Sequence, residues 1–385
     1  MDGFDVHQAI GGPRTCRQLA EVFYARVKRD PVLRPLFPGK TLKCAIEEFS
    51  AFLVQLTGGP AEDTQRRWWV SLRESHLRFR IGQRERDAWM TNMVLALDDV
   101  PLEESARSAL RDFFARSSAY IVNGAAAEGE DGPPSDTIQQ ELSRRWSAQR
   151  VLDEAIAAVR SGAAERAIAL AGGSVLRTYL QGNHSVFAAL LAQMIINGNS
   201  TLLDYVRQKL VADPGLAHER FGGRTLLHDA AAAGNVALVE LLMCLGADPD
   251  IKDDGGHTPL YRVANHCKWH GANVVRALVD AGARVDACDG VKHCTALHMA
   301  ARRDNVEVAG ALLDCGAGIE MRDSLGETPL RRAVNLNNIE VAALLLERGA
   351  DMHSTGSKGL TPVLAARSAA MRQLFQSCGQ GVAIS

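Results

Sequence analysis

The sequence of 385 residues has no excess of charge of either sign and no long hydrophobic run. Its 43 basic side chains are balanced by 45 acidic ones, so the net charge of -2 provides no electrostatic attraction to nucleic acid or anionic lipid. The densest apolar stretch, residues 188–196, is too short to cross a bilayer, and the beginning of the chain lacks the basic and apolar regions of a signal peptide. We therefore expect a cytoplasmic protein with no nucleic-acid partner and no membrane partner.

The sequence also lacks patterned cysteines and the common catalytic motifs. Its eight cysteines include no CxxC pair and no disulfide-framework spacing, which favours reduced thiols. No Gly-rich phosphate loop, nucleophile elbow or paired-carboxylate motif is present. Six residues between positions 266 and 294 are of the types that zinc accepts, although their spacing matches no established zinc pattern. Metal binding by this group stays open, and its members are His266, Cys267, His270, Cys288, His293 and Cys294.

The length of the chain predicts two or more folding units, because single cores rarely grow to this size. Residues 124–137 lack apolar periodicity and concentrate glycine, proline, alanine and acidic residues, as a solvated linker does. Before this linker, apolar residues recur at helical spacing in four segments, which are 16–27, 44–56, 89–97 and 109–122. Residues 1–123 are therefore predicted to form a helical domain, and the linker marks its end.

A repeat dominates the sequence after the linker. Similar tetrapeptides begin at Thr225, Thr258, Thr295, Thr328 and Thr361, which are 33, 37, 33 and 33 residues apart. Gly-Ala pairs at positions 246, 282, 316 and 349 follow four of these threonines by 21, 24, 21 and 21 residues. Small residues at 230–233 and a leucine-rich run at 239–242 predict two helices per unit, with the Gly-Ala glycine as a left-handed C-terminal cap.

The period and the Thr-Pro-Leu-His type of signature resemble the ankyrin repeat, which implies helical pairs stacked into a solenoid that binds a protein partner. We place the array at residues 187–385, with a degenerate first unit at 187–218 and residues 138–186 as a helical connector or capping helices. Clear units start near Arg224, His257, Cys294, Glu327 and Leu360.

Two histidines of the array are interpreted as structural, and one insertion is interpreted as part of a binding surface. His228 and His298 occupy the histidine position of the signature, which in ankyrin-like repeats ties neighbouring turns together by hydrogen bonds. We therefore expect them to be structural and not metal ligands. The insertion ANHCKWHGANVV, which gives the 24-residue interval, is interpreted as a longer turn between helices that helps to recognise a partner.

The N-terminal block resembles the group II truncated haemoglobins through three segments that follow the family's order. These are VFYARVKRDPVLRPLFPG, FLVQLTGGP and LRESHLRFRIGQRERDAWMTNM. The resemblance covers residues 4–123 and implies an all-α, two-over-two globin domain with one haem b. A globin haem needs one imidazole ligand and an open sixth position for dioxygen, carbon monoxide or nitric oxide. The LRxxHxxFxI motif implies that His76 is the proximal ligand, since the domain's other histidine, His7, lies in the N-terminal lead-in.

On the distal side, the resemblance assigns ligand-stabilising positions to Tyr24, Trp89 and Gln55. A bound diatomic ligand becomes partly negative, so Tyr24 and Trp89 would act as hydrogen-bond donors. Without the family motif, both would be interpreted as ordinary core aromatics. The Gly58-Gly59 pair is expected to end the distal helix. The resemblance also implies a haem pocket lined by Phe23, Leu36, Phe37, Phe79, Ile81 and Met93, with Arg73 either contacting a haem propionate or exposed and unpaired.

The leading hypothesis is a haem protein that binds dioxygen or another diatomic ligand reversibly, for transport or sensing, and is fused to an interaction array. We favour a binding protein over an enzyme. One alternative is a redox enzyme, a nitric oxide dioxygenase or a peroxidase-like protein, which would need a separate reductase because no flavin or nicotinamide motif is present. The other is a scaffold without haem, since residues 60–75 carry Trp68 and Trp69 in place of the family's Tyr and Gly-His-Pro turn.

Overall fold

The computed structural model describes residues 5–37, 41–59, 81–123, 137–290, 292–356 and 359–381. These residues form helices and no strand, apart from one isolated bridge between Phe221 and Arg224. The predicted all-α fold is therefore confirmed. The chain divides into two compact units, residues 1–190 and 191–385. No helix within the described ranges is both long enough and apolar enough to cross a membrane.

Unit 1 is built from amphipathic helices whose ends follow local sequence signals. Pro13 lies in the first turn of the second helix, where its missing N–H costs no hydrogen bond. The third helix ends as predicted at Gly58, whose φ of +88° is a conformation that glycine adopts readily. The described helices are α1 (Val6–Ala9), α2 (Gly12–Val27), α3 (Lys43–Thr57), α4 (Gln83–Asp99), α5 (Glu104–Asn123), α6 (Thr137–Arg160), α7 (Ala164–Gly172) and α8 (Ser174–Gln181).

One core joins α2, α3, α4 and α5, and it continues into α6. Leu142 and Trp146 of α6 are buried in the same cluster as the globin-like helices. The Trp146 ring meets Phe113 edge-on at 5.6 Å and Tyr120 at 5.5 Å between ring centroids. The segment predicted as a connector or as capping helices, residues 138–186, thus contains three helices that belong to unit 1. Most of the predicted linker, residues 124–136, lies outside the described residues.

Unit 2 follows the repeat seen in the sequence, with two helices per repeat. Helix α9 (His184–Asn197) crosses the division between the units. The others are α10 (Ser200–Ala212), α11 (Leu226–Ala232), α12 (Val236–Cys244), α13 (Pro259–His266), α14 (Gly271–Asp280), α15 (Ala296–Arg303), α16 (Val306–Asp314), α17 (Pro329–Leu336), α18 (Ile339–Glu347), α19 (Pro362–Ala365) and α20 (Ala369–Gly381). The first helix of each clear repeat begins two residues after its predicted start.

Buried histidines join successive turns of the array, as predicted from the signature. The Nδ1 atom of His298 accepts a hydrogen bond from the Thr295 backbone N–H at 3.2 Å, and its Nε2 donates to the Glu327 carbonyl at 3.0 Å. His228 makes the corresponding bond to the carbonyl of His257 at 3.2 Å. Both histidines use both ring nitrogens within the protein, so their role is structural.

The cysteine and histidine residues at 266–294 do not assemble into a cluster of metal ligands. Cys267 donates to the Trp269 carbonyl with Sγ at 3.0 Å, while Cys294 lies 3.7 Å from a guanidinium nitrogen of Arg332. Burial raises the pKa of both thiols, which opposes the thiolate form that binds zinc. Among the described residues, no group of three or more potential ligands could hold a metal ion.

Candidate functional site

Tyr24 is the most enclosed polar side chain of the candidate distal site. It lies on α2 and is 9% exposed. Its ring meets Phe37 edge-on, with 5.5 Å between centroids and 88° between planes, and it lies 6.2 Å from the ring of Phe49. The neighbouring Phe23 ring is 5.1 Å away. Three phenylalanines therefore surround the body of Tyr24.

Trp89 reaches the same group of rings from α4. It is half-buried, and its ring lies 5.2 Å from Phe23 and 6.4 Å from Phe49. We call Phe23, Tyr24, Phe37, Phe49 and Trp89 the aromatic cluster. The structure thus brings together two predicted distal donors and two predicted lining residues, although Tyr24 and Trp89 are far apart in sequence.

Tyr24 and Trp89 each carry a hydrogen-bond donor on an aromatic side chain. Within the described part of the chain, neither the Tyr24 hydroxyl nor the Trp89 indole N–H forms a hydrogen bond, so both are free to donate to a ligand. Burial, reinforced by the nearby carboxylate of Glu48, raises the pKa of Tyr24 above its ordinary value. The Tyr24 hydroxyl therefore stays protonated at neutral pH and is available as a donor.

Gln55 is placed differently from the other two predicted distal residues. It lies half-buried near the C-terminal end of α3, whereas Tyr24 and Trp89 lie on α2 and α4. Among the other predicted lining residues, Met93 is fully buried in the core, while Leu36 and Ile81 are partly buried. The remaining predicted site residues lie outside the described residues; they are His76, Arg73 and Phe79.

His7 has a structural role in unit 1. It is 2% exposed, and its Nδ1 lies 2.7 Å from the Thr57 hydroxyl at the end of α3. A Cβ placed on Gly59 would come within 2.6 Å of the His7 ring, so the histidine packs closely against the end of α3. A side chain held this way supports the fold.

The sequence did not single out Phe49, although this residue contacts both Tyr24 and Trp89. Phe49 and Phe52 lie three residues apart on one side of α3, and their rings stack at 6.3 Å. The same cluster reaches α5 through Phe114, whose ring lies 6.1 Å from Phe49. The spacing of three residues predicts that both phenylalanines lie on one face of α3. It does not predict which residues of other helices they contact.

Comparison with known proteins assigns both parts of the chain. The family model described as bacterial-like globin matches residues 5–123. The group 2 truncated hemoglobin YjbI of Bacillus subtilis (strain 168) is 35% identical over 122 residues, covering 32% of this chain and 91% of the relative. The chain belongs to the truncated haemoglobin family. Two-on-two hemoglobin-3 of Arabidopsis thaliana is 27% identical over 131 residues, covering 33% of this chain and 75% of the relative.

The remainder of this truncated haemoglobin carries ankyrin repeats. The ankyrin-repeat family model matches residues 189–289 and 266–356. The human protein named ankyrin repeat and SOCS box protein 16 is 34% identical over 114 residues, covering 30% of this chain and 24% of that relative. The predicted combination of a truncated globin with an ankyrin array is confirmed.

Family membership implies haem-based binding of a diatomic ligand at the first unit and protein interaction at the second. The residues present fit a haem. Tyr24 and Trp89 form no hydrogen bonds with other described residues and would donate to a ligand of the iron. The phenylalanine rings that they contact would form an apolar wall against the haem.

Proposed function

We propose that this protein holds haem b through His76 and binds dioxygen reversibly at the open iron position. The observation that carries the proposal is the protonated Tyr24 hydroxyl, whose side chain is 9% exposed and makes no hydrogen bond with any other described residue. A bound ligand would give this donor an acceptor. A haem supplies an iron position at which a small gas molecule can bind.

The side chains of the aromatic cluster would act on that ligand in two ways. Tyr24 and Trp89 would donate hydrogen bonds to its partly negative atom, which slows dissociation. Phe23, Phe37 and Phe49 would keep water away from the site and so strengthen both hydrogen bonds. Nothing in this arrangement requires an electron donor, so reversible binding is the simplest use of the site.

The His76→Ala substitution tests whether this chain uses haem. We expect the wild-type protein to take up haem and to give a carbon monoxide difference spectrum, and the variant to lose it because the proximal imidazole is gone. The exposed His353 provides the control, and His353→Ala should behave as wild type. A wild-type protein without Soret absorbance after haem addition would refute the proposal and favour the haem-free scaffold.

The Tyr24→Phe substitution tests the distal assignment. A hydrogen bond to a charged partner contributes about 1.5–3 kcal/mol, so its loss should raise the dioxygen dissociation rate roughly tenfold to a hundredfold. Tyr205→Phe removes the hydroxyl of another buried tyrosine, on α10 of unit 2, and should leave the rate unchanged. Equal dissociation rates in Tyr24→Phe and wild type would show that Tyr24 does not face the ligand.

We further propose that the array binds a protein partner at the ends of α13 and α15. Arg303 donates from Nε to the Asn265 side chain at 2.8 Å, which joins the two helix ends. Beside them, Trp269 in the predicted recognition turn is 74% exposed. The nearby cations Lys268 and Arg302 are exposed and form no ion pair with other described residues. Tryptophan and arginine are enriched in binding hot spots, so Trp269 and Arg302 are the residues on which we expect the partner to depend most.

Comparative capture tests this second part. Partners retained by the wild-type protein should be lost with Trp269→Ala plus Arg302→Glu, while Leu364→Ala, an exposed change in α19, should retain them. Retention by all three proteins would place the partner elsewhere on the array. Capture by the ferrous and carbon monoxide forms then tests sensing. Coupling requires that the ligand and the partner each bind two states of the protein with different affinities, so equal capture by both forms would exclude it.

A further inference from the structure

The C-terminal ends of the first helices differ in charge along the array. First helices of successive repeats pack against one another, so residues at the same register form a row across the array. At the ends of α11, α13, α15 and α17 this row consists of Ala232-Ala233, Asn265-His266, Arg302-Arg303 and Asn335-Leu336. The row therefore holds two adjacent arginines, and its other members include no arginine or lysine.

The turn between α13 and α14 lies next to these arginines and is held by the repeats on both sides. Asn305, two residues after Arg303, donates from Nδ2 to the Cys267 carbonyl at 3.1 Å. A Cβ on Gly234, in the preceding repeat, would come within 2.1 Å of the Trp269 carbonyl oxygen, so the turn packs closely there as well. The backbone of the turn is thus fixed at two points, while the Trp269 side chain is 74% exposed. A side chain presented from a fixed backbone loses little further freedom when it binds.

Lys268, Arg302 and Arg303 have no acidic partner among the described residues. All three are exposed, and none of them forms an ion pair within the described ranges. Other exposed arginines of the array are paired between repeats, as Arg348 is with Asp314 at 2.8 Å. The three cations are therefore available to carboxylates of another molecule.

Two acidic side chains close to these cations are engaged with helix N-termini. Asp304 accepts a hydrogen bond at Oδ1 from the Val341 N–H in the first turn of α18, at 3.3 Å. Glu307 accepts one at Oε1 from the Ala272 N–H in the first turn of α14, at 3.2 Å. Helix N-termini carry partial positive charge, which balances both carboxylates. The surface around Trp269 thus keeps an excess of positive charge.

We infer that the partner of the array presents an acidic peptide segment, whose carboxylates pair with Lys268, Arg302 and Arg303 while an apolar side chain packs on Trp269. We call these four residues the recognition patch. The inference rests on the proposed function, which places the partner at the ends of α13 and α15. Arginine pairs with carboxylates through two parallel hydrogen bonds, and an indole offers a large apolar surface. Asp304 and Glu307 beside the patch disfavour a longer polyanion such as nucleic acid.

A labelled peptide of glutamates flanking a single leucine tests the charge preference, with glutamines in place of the glutamates as its control. We expect the full-length protein to bind the glutamate peptide more tightly in fluorescence polarisation, and added salt to weaken that binding. Lys268→Glu plus Arg302→Glu should weaken it about tenfold, because two attractions become repulsions. Neither side chain hydrogen-bonds another described residue, so the fold should tolerate both changes.

Arg348→Glu plus Arg372→Glu is the matched control, since it changes the net charge equally at exposed positions beside α18 and on α20. This variant should bind the glutamate peptide as wild type does. Equal affinities for the two peptides, or an equal loss in both variants, would overturn the inference. Tighter binding of a labelled oligothymidylate than of the glutamate peptide would also overturn it, because the patch would then favour nucleic acid.

Failure of this inference can be distinguished from failure of the proposed function. Partner capture that depends on Trp269 and Arg302, together with equal affinities for the two peptides, would leave the proposed binding site in place and remove only the acidic segment. Capture that does not depend on these two residues would remove the proposed site itself. The peptide titration does not require haem, so it is independent of the proposal for unit 1.

Discussion

Replacing Trp146 by alanine should strongly destabilise the globin unit although this residue lies beyond the family domain. Its side chain is 6% exposed and forms two edge-to-face ring pairs, with Phe113 and Tyr120. Each such pair contributes about 0.5–1.5 kcal/mol beyond burial, and deleting a buried tryptophan costs about 3–5 kcal/mol in all. Domains of this size are stable by about 5–15 kcal/mol, so the loss is a large fraction of the total.

The effect of Trp146→Ala is best measured locally, because the two units need not unfold together. Hydrogen exchange of α5 peptides in the full chain, followed against guanidinium concentration, gives the opening free energy of unit 1. Trp269→Ala is the matched control, since this tryptophan is 74% exposed and should change stability by less than about 0.5 kcal/mol. A change below about 1 kcal/mol in α5 peptides of Trp146→Ala would show that α6 does not belong to the globin core.

Three further predictions follow from burial and charge. Burial lowers the pKa of His228 in the folded protein to about 4, below the unfolded value of about 6.5. The array should therefore lose up to about 3 kcal/mol of stability as the pH falls from about 6.5 to about 4. In pH-dependent melting, His228→Gln should lack this loss and His353→Gln should retain it. Arg332→Met leaves the fully buried Asp323 carboxylate without its cation and should cost about 3 kcal/mol in denaturant unfolding, with added Asp323→Asn restoring much of it. Because burial raises the pKa of Tyr24, its hydroxyl should stay a donor and the dioxygen dissociation rate should be constant from about pH 6 to 9. A rate that rises within this range would show that the hydroxyl loses its proton there.

The array could be predicted from the sequence because its signals are local. The Thr258 hydroxyl accepts a hydrogen bond from the backbone N–H of Tyr261, and Thr328 does the same for Arg331, so each threonine marks a helix start. Gly316 has a φ of +86° just after α16, where a residue with a side chain would be strained. Such signals need only a few neighbouring residues, and they recur in phase.

The aromatic cluster was only partly predictable. The resemblance to the family predicted Tyr24 and Trp89 as site residues. Phe49 was not predicted, because its place in the cluster depends on its ring contacts with Tyr24 of α2 and Trp89 of α4. The place of α6 could not be predicted either, because its pattern of apolar residues indicates a buried face without saying what covers it. Trp146 finds its partners in α5, across a linker that carries no pairing information. Long-range packing of this kind is determined by shape and not by a local motif.

The difference between the family domain and the structural unit has a consequence for stability. A chain cut at residue 123 would lose Trp146 from its core and Arg145 from the end of α3. Removing a buried tryptophan costs about 3–5 kcal/mol. We therefore expect residues 1–123 to be less stable in isolation than in the full chain, because part of their core is supplied by α6.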